Sequence, residues 1–498
     1  MARLSTDLRV LTDEEARSIH REALVILEKV GIRIEHKRML DCLAEVGARV
    51  DYKKSIARFP EELVESCLKT QVEKANKEDN QLYADPWNLG NAKFISEEHE
   101  KLKLNMHIFC VNILDYKNDT VRSATLDDLK DSVLVGNTIE ALCELAPLVV
   151  PGDVPSCVND AYMWHTLLKW SDKRVSGEIF NIDTIPYILE MCYLRTGGKE
   201  GFARDPWINY PCFYTGAFEY SEEALDIGFA VHDMGVPVRF GSTMGVAGMN
   251  SPTTLAGALT AATAEGLAGF VMAEAVGGNS IGYLGSAISF NQGNGTALYE
   301  SPEKELMAYA VRDLARIYGF KHWRVFGGHS CASDSCWPGI QAGVEKGFST
   351  LFAAMANTIS VHCGMLSPEL ASIPQMLIDE EIVQLIDRFM EGIEVNEITI
   401  AGNLIQELGI QGNYLDAGNE TAINFAVEHF RKENWLPKLF VRERPVQWQT
   451  TRHELYQNAK NKTCEILNSP AVSPLDEATE REMDKILKDC VNKIDNQA

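Results

Sequence analysis

Three consecutive runs, "VPVRFGST" (236–243), "TTLAGALTAATAEGLAGFVMAEAVGG" (253–278) and "SIGYLGS" (280–286), decide the fold class. The first and third are short, apolar and partly β-branched, as strands buried on both faces are. The second is long and Ala-rich, and Glu265 and Glu274 interrupt it. A membrane span would not carry two unpaired acids, so it reads as a buried helix between two strands. A strand, a helix and a strand in this order imply a parallel pair with a right-handed crossover.

The same alternation extends in both directions. "LAPLVV" (145–150), "RVSGEIF" (174–180), "WINYPCFY" (207–214), "HWRVFGGHS" (322–330) and "TISVHCG" (358–364) are further strand-like runs, and helical stretches occupy 221–234, 302–319 and 339–356. With seven strands, and an eighth expected near "EVNEITI" (394–400), the pattern fits an α/β fold of the (β/α)8 TIM-barrel type. No G-x-G-x-x-G follows the first strand and no Walker A sequence occurs, which weighs against nucleotide binding.

The barrel is assigned to residues 141–400, with a mostly helical N-terminal region at 1–140 and a C-terminal helical region at 401–498. In the N-terminal region Thr12 and Glu15 have capping-box spacing before a helix that Gly31 ends. A second helix ends at Gly47, and "PEELVESCL" (60–68) starts a third. "HIFCVNILDY" (107–116) reads as a strand. Polar-faced helices flank Pro470 and Pro474 and are expected to pack on the barrel or against a partner subunit.

The chain has 498 residues and a formal charge of −24. Phosphate polymers and anionic membrane surfaces would be repelled, so neither nucleic acid nor a membrane is an expected partner. The first thirty residues hold no apolar signal segment, and the twelve cysteines follow no disulfide framework. Both point to a cytoplasmic protein with reduced thiols.

In a barrel of this kind the chemistry sits at the C-terminal ends of the strands. That rule nominates Glu178 and Phe180; Tyr210, Phe213 and Tyr214; Ser242, Thr243 and Met244; Tyr283 and Ser286; His329 with Asp334 and Trp337 in the loop after it; and His362 with Cys363. Asn105 and His107 could cap the pocket. An aromatic mouth with a carboxylate suits a quaternary ammonium ion. Side chains alternate along a strand, so about half of such a set faces the outer helices instead. "GGHSCASDSCWPGIQAG" (327–343) also offers zinc-compatible atoms in His329, Cys331, Asp334 and Cys336, with His362 and Cys363 one strand away. Its H-x-C-x4-C spacing is not a familiar ligand pattern and no C-x-x-C supports it, so no metal is assigned. Nor does a signature place a base beside either thiol.

Several separate motifs, in order, resemble the trimethylamine:corrinoid methyltransferase family over nearly the whole chain. They are "IHREALVILEKVGIRIEH" (19–36), "LAEVGARVD" (43–51), "PEELVE" (60–65), "NSPTTLAGALTAATAEGLAGFVMAEAV" (250–276), "SPEKELMAYAVRDLARIYG" (301–319), "SDSCWPGIQAGVEKGFSTLFAAMAN" (333–357), "GMLSPELASIPQMLIDEEIV" (364–383) and "GIEV" (392–395). Some members of that family carry pyrrolysine near the end of the sixth strand and use it for trimethylamine. This chain is read through with ordinary residues, and the corresponding region is 328–337. Where related chains read "SDSK", it reads "SDSC".

The resemblance implies a member without pyrrolysine that demethylates a quaternary amine. Glycine betaine is the first candidate; proline betaine, carnitine and butyrobetaine are the others. The methyl acceptor would be Co(I) of a corrinoid held by a separate partner protein, with no cofactor tightly bound to this chain, and a homo-oligomer is expected. His329 would orient the substrate or contact the corrinoid. Asp334 would balance the ammonium or hold its loop, by a hydrogen bond or as the cap of the helix from 339. Arg239 is a candidate partner for a substrate carboxylate, or else sits in an ion pair outside the barrel. A zinc-dependent methyltransferase and a betaine-binding protein without turnover are the competing readings.

Overall fold

A computed structural model describes residues 8–77, 101–106, 108–142, 144–204, 206–208, 210–241, 245–321, 331–356, 358, 360–415 and 418–494. Helices and parallel strands alternate through its centre. The strands are β1 (Lys103–Asn105), β2 (Glu144–Leu145), β3 (Arg174–Val175), β4 (Tyr210–Phe213), β5 (Val238–Gly241), β6 (Ile281–Tyr283) and β7 (Ser360–His362). After an N-terminal helix, α1 (Asp13–Lys29), the connecting helices are α2 (Leu126–Thr138), α3 (Asn159–Trp170), α4 (Ile185–Thr196), α5 (Glu222–Asp233), α6 (Leu255–Val276), α7 (Pro302–Ile317), α8 (Ile340–Met355) and α9 (Ile373–Met390).

The parallel pairings form one continuous series. β7 pairs with β1, and Leu104 of β1 bridges to Leu142, just before β2. β2 pairs with β3, and Gly177, just after β3, bridges to Ile208. β4 pairs with β5 and β5 with β6. The stretch 322–330, read from sequence as the strand between β6 and β7, lies outside the described residues.

Two strand readings are corrected. Residues 394–400 form turns, with no strand. The series has a strand at Lys103–Asn105 ahead of the run at 145–150 that the sequence placed first; within the run read as a strand at 107–116, Asn112–Asp115 forms an antiparallel hairpin with Thr120–Ser123. The run "LKLN" (102–105) has a lysine at its centre and little branched character, so it carried no strand signal.

The helix that decided the fold class lies at the centre of the molecule. Thr254 caps α6, and its sequence is buried from Ala258 to Ala273 apart from Thr260. Its two acids are satisfied inside: Glu265 accepts the Phe218 N–H at 3.0 Å, and Glu274 accepts from Gln71 and Lys74. α6 is the one helix among the described residues long and apolar enough to cross a membrane, and most of it is enclosed by protein. Small residues set its depth. A Cβ on Gly269 would lie 2.4 Å from the Phe240 carbonyl oxygen on β5. Gly269→Ala is therefore expected to destabilise the fold by about 1–3 kcal/mol through overpacking. The check is a lower denaturation midpoint at an unchanged denaturant slope.

The N-terminal layer covers this core. The capping box forms, with Glu15 accepting the Thr12 N–H and Thr12 accepting the Glu15 N–H. Gly31 follows the helix end at φ +79°. Short strands at Ile32–Ile34, Arg49–Asp51 and Ile56–Arg58 form a small sheet, which Glu219–Tyr220 joins at one edge. Asp313 of α7 accepts the N–H groups of Val10 and Leu11, tying the chain start to the body.

Candidate active site

Strand alternation sorts the nominated residues into two faces. On β4, the Tyr210 hydroxyl donates to the Ala224 carbonyl of α5 at 2.8 Å, and the Cys212 thiol points to the same carbonyl. Both therefore face outward. Tyr214 also turns away, its hydroxyl donating to the Glu265 carbonyl of α6 at 2.9 Å and its ring lying 4.1 Å from that of Tyr220. Tyr210 and Tyr214 are thus removed from the pocket set: both hydroxyls are engaged by outer helices. Phe213 lies on β4, and its side chain is not described. His107, His329, Ser242, Thr243 and Met244 lie outside the described residues.

The opposite face gathers Glu178, Arg239 and Tyr283. A Cβ on Gly177 would touch Trp164 of α3, so Glu178, the next residue, projects inward. In register, Arg239 lies beside Pro211 and Ile281, and Tyr283 beside Gly241. Arg239 is buried yet close enough to act on the Glu178 carboxyl and the Tyr283 hydroxyl. It is inside the strand series, not in an ion pair outside it. Burial pushes the Glu178 carboxyl up to about 7, with the Arg239 charge pulling part of the way back. The group is poised between acid and carboxylate at neutral pH.

The strand exit that carries Glu178 is held from below. The Asp160 carboxylate on α3 accepts the N–H groups of Phe180 and Asn181 and the Thr184 hydroxyl at 2.8–3.0 Å. The Trp164 indole N–H donates to the Glu178 carbonyl at 3.0 Å. Phe180 is exposed at the rim, edge-on to Phe109.

β1 and β7 supply a second group. Asn105 donates to the Ser360 hydroxyl at 3.1 Å. On His362, burial lowers the imidazole pKa to about 4, and the nearby Lys304 and Lys346 charges add to that. The ring is therefore neutral at physiological pH, and its buried Nδ1 has no hydrogen-bond partner among the described residues. Lys304 is itself buried between Glu300 at 3.0 Å and Glu305 at 3.2 Å. In sequence, Glu300 and Lys304 look like an ordinary (i, i+4) surface pair, so nothing there pointed to an interior cluster.

The loop 331–339 is braced rather than open. Asp334 accepts the backbone N–H groups of Tyr299 and Glu300 at 2.9 and 3.1 Å, and its own N–H donates to Glu345. Of the roles considered for it, the geometry shows the loop hydrogen bonds; Gly339 is the cap of α8. Ser333 donates twice to the Leu366 carbonyl. Trp337 is exposed and edge-on to Tyr456 of the C-terminal region. Gln341 pairs with Glu345 on the surface of α8. Cys331 is buried and Cys336 exposed, and no cluster of three metal-ligating side chains occurs among the described residues. Clefts of about 310–520 Å³ open on the outer helices and at the C-terminal region, away from Glu178.

The trimethylamine methyltransferase (MTTB) family matches residues 1–493. The chain is 26% identical over 497 residues to a trimethylamine methyltransferase of Methanosarcina acetivorans, covering 97% of this chain and 95% of the relative. It is 25% identical over 488 residues to a glycine betaine methyltransferase of Desulfitobacterium hafniense, covering 95% and 96%. Among solved structures, a hydroxylamine complex of MtmB aligns with 93% of this chain and 95% of its own at a TM-score of 0.39 and 8% identity. The monomethylamine methyltransferase MtmB of Methanosarcina barkeri aligns with 91% and 98% at a TM-score of 0.35. With the family match running from the first residue to within five of the last, this chain is a methyltransferase belonging to the trimethylamine methyltransferase (MTTB) family.

Proposed function

We propose that this enzyme moves a methyl group from a quaternary amine, glycine betaine first among them, to Co(I) of a corrinoid carried by a partner protein in the cytoplasm. The observation that carries the reading is the inward-facing group of Glu178, Arg239 and Tyr283. Glycine betaine is a zwitterion of matching polarity. Its ammonium would lie against the Glu178 carboxylate and the Tyr283 ring, and its carboxylate against Arg239. The full-length likeness to a glycine betaine methyltransferase supports the same substrate class.

A quaternary nitrogen departs as a neutral tertiary amine once its methyl is taken, so the step needs no proton donor at nitrogen. The protein's task is to hold one N-methyl in line with the acceptor and to exclude water. Ordinary residues at 331–337 suit that task. Asn105, the neutral His362 and His329 are assigned to the same pocket, with Phe180 and Trp337 at its rim; Phe213 and His107 remain assigned with them. The strand series is proposed to close as an eight-stranded barrel through 322–330, with its first strand at 103. The partner protein would dock at the open ends of the strands.

The test mixes the purified enzyme with cob(I)alamin and, in turn, glycine betaine, proline betaine, carnitine, butyrobetaine and trimethylamine, and follows cobalt methylation optically. Methylation from a quaternary amine, unaffected by chelator, is expected. Methylation from trimethylamine alone would overturn the substrate class, and loss of activity with chelator would favour a zinc-dependent enzyme. Tight betaine binding without demethylated product, even with the cognate corrinoid protein present, would favour a binding protein.

A further inference from the structure

Residues 391–452 pack almost none of their own sequence away from water. Among the described residues of that span only Leu404 and Ala422 are buried, although it contains the helices Gly402–Leu408, Glu420–Glu433 and Pro445–Thr451. Its apolar side chains point outward: Ile410 is 98% exposed, Val446 77% and Val427 74%, with Ile393, Leu415 and Phe430 also exposed. Ordering a segment of this length costs conformational entropy that so little burial does not offset. A few polar ties hold it to the body, such as Glu381 accepting the Lys438 and Phe440 N–H groups. An exposed apolar surface of this extent marks an interaction site.

The charge pattern says what covers it. Residues 391–420 carry Glu391, Glu394, Glu397, Glu407, Asp416 and Glu420 and no Lys or Arg. Residues 431–452 carry Arg431, Lys432, Lys438, Arg442, Arg444 and Arg452 against only Glu433 and Glu443. A strongly acidic chain thus carries, on one outward-facing segment, an acidic apolar half followed in sequence by a basic apolar half. A two-fold axis between them sets each half against its opposite on the other copy, twice over. A stable interface buries roughly 800 Å² per partner, and ten large apolar side chains at half exposure or more supply area on that order.

We propose that residues 391–452 are the contact between two copies of this chain, the acidic half 391–420 of one meeting the basic half 431–452 of the other. The surface is independent of the substrate reading, because none of its residues is assigned to the pocket.

The test is the molar mass of the full chain in solution by light scattering, with far-UV circular dichroism to confirm folding. The wild type is expected at twice the chain mass or a multiple of it. Ile410→Asp is expected to shift it toward monomer. Glu397→Lys with Glu407→Lys should be monomeric alone, as should Lys432→Glu with Arg444→Glu, and mixing the two double variants should restore the oligomer. A monomeric wild type at micromolar concentration would overturn the proposal. So would an oligomer that all these variants leave intact, or a mixture that stays monomeric.

Discussion

Lys346→Met is expected to destabilise the enzyme by about 3–5 kcal/mol, the cost of leaving one member of a buried ion pair alone. Lys346 and Asp379 are both fully enclosed, 3.1 Å apart. Burial alone would favour a neutral amine, but the charge and hydrogen bond of Asp379, with Cys331 and Cys363 beside it, together outweigh burial and raise the Lys346 pKa, while burial also pushes the Asp379 carboxyl up. The pair is also a junction. The Lys346 ammonium donates to the Cys331 carbonyl at 2.5 Å, and the Asp379 carboxylate accepts the Gly364 N–H at 2.7 Å and the Gln375 amide at 2.8 Å. It therefore fastens the loop at 331, the exit of β7 at 364 and the helices α8 and α9 to one point. Chemical denaturation should show the loss as a lower midpoint. Lys346→Met with Asp379→Leu should recover much of it, because two apolar groups leave no uncompensated charge. A single variant as stable as wild type would show that water reaches the site.

How far the sequence revealed this arrangement depended on periodicity. α6 and α7 were legible within about two residues because a capping Thr or Ser precedes each apolar repeat. β4, β5 and β6 were legible as short apolar runs between helices. β1 was not, because a three-residue strand with one leucine between a lysine and an asparagine has no pattern. In the site, alternation limited the reading: sequence placed Tyr210, Phe213 and Tyr214 at one strand end but could not say which faced α5 or α6. Glu178 and Arg239 were each visible as an unusual charge in a strand; their proximity was not, since it depends on the order of strands in space. Lys346, Asp379 and Lys304 stayed hidden because on helices their spacing is that of solvent-facing charges, and Glu300, just before the helix of Lys304, reads as part of the same surface pattern.

Glu178→Gln is expected to lower kcat/KM for the quaternary amine about 100-fold, which corresponds to about 2.7 kcal/mol and is what removing one partner of a desolvated charge pair costs. The pH dependence separates this from a packing defect. Burial pushes the Glu178 carboxyl up to about 7, so below that pH the free enzyme holds it neutral and the attraction for an ammonium is lost. The wild-type kcat/KM should therefore rise about tenfold per pH unit up to neutrality and level off above it, as for one group that must be ionised in the free enzyme. A bound ammonium stabilises the carboxylate, so the inflection in kcat should lie at lower pH than that in kcat/KM. Glu178→Gln should abolish the inflection, and Glu178→Asp should keep it at reduced rate. His362 does not produce the same limb, because burial has already lowered its pKa to about 4 and it stays neutral across this range. A Gln variant that loses 100-fold in rate yet retains the inflection would assign the titration to another group and remove Glu178 from contact with the substrate.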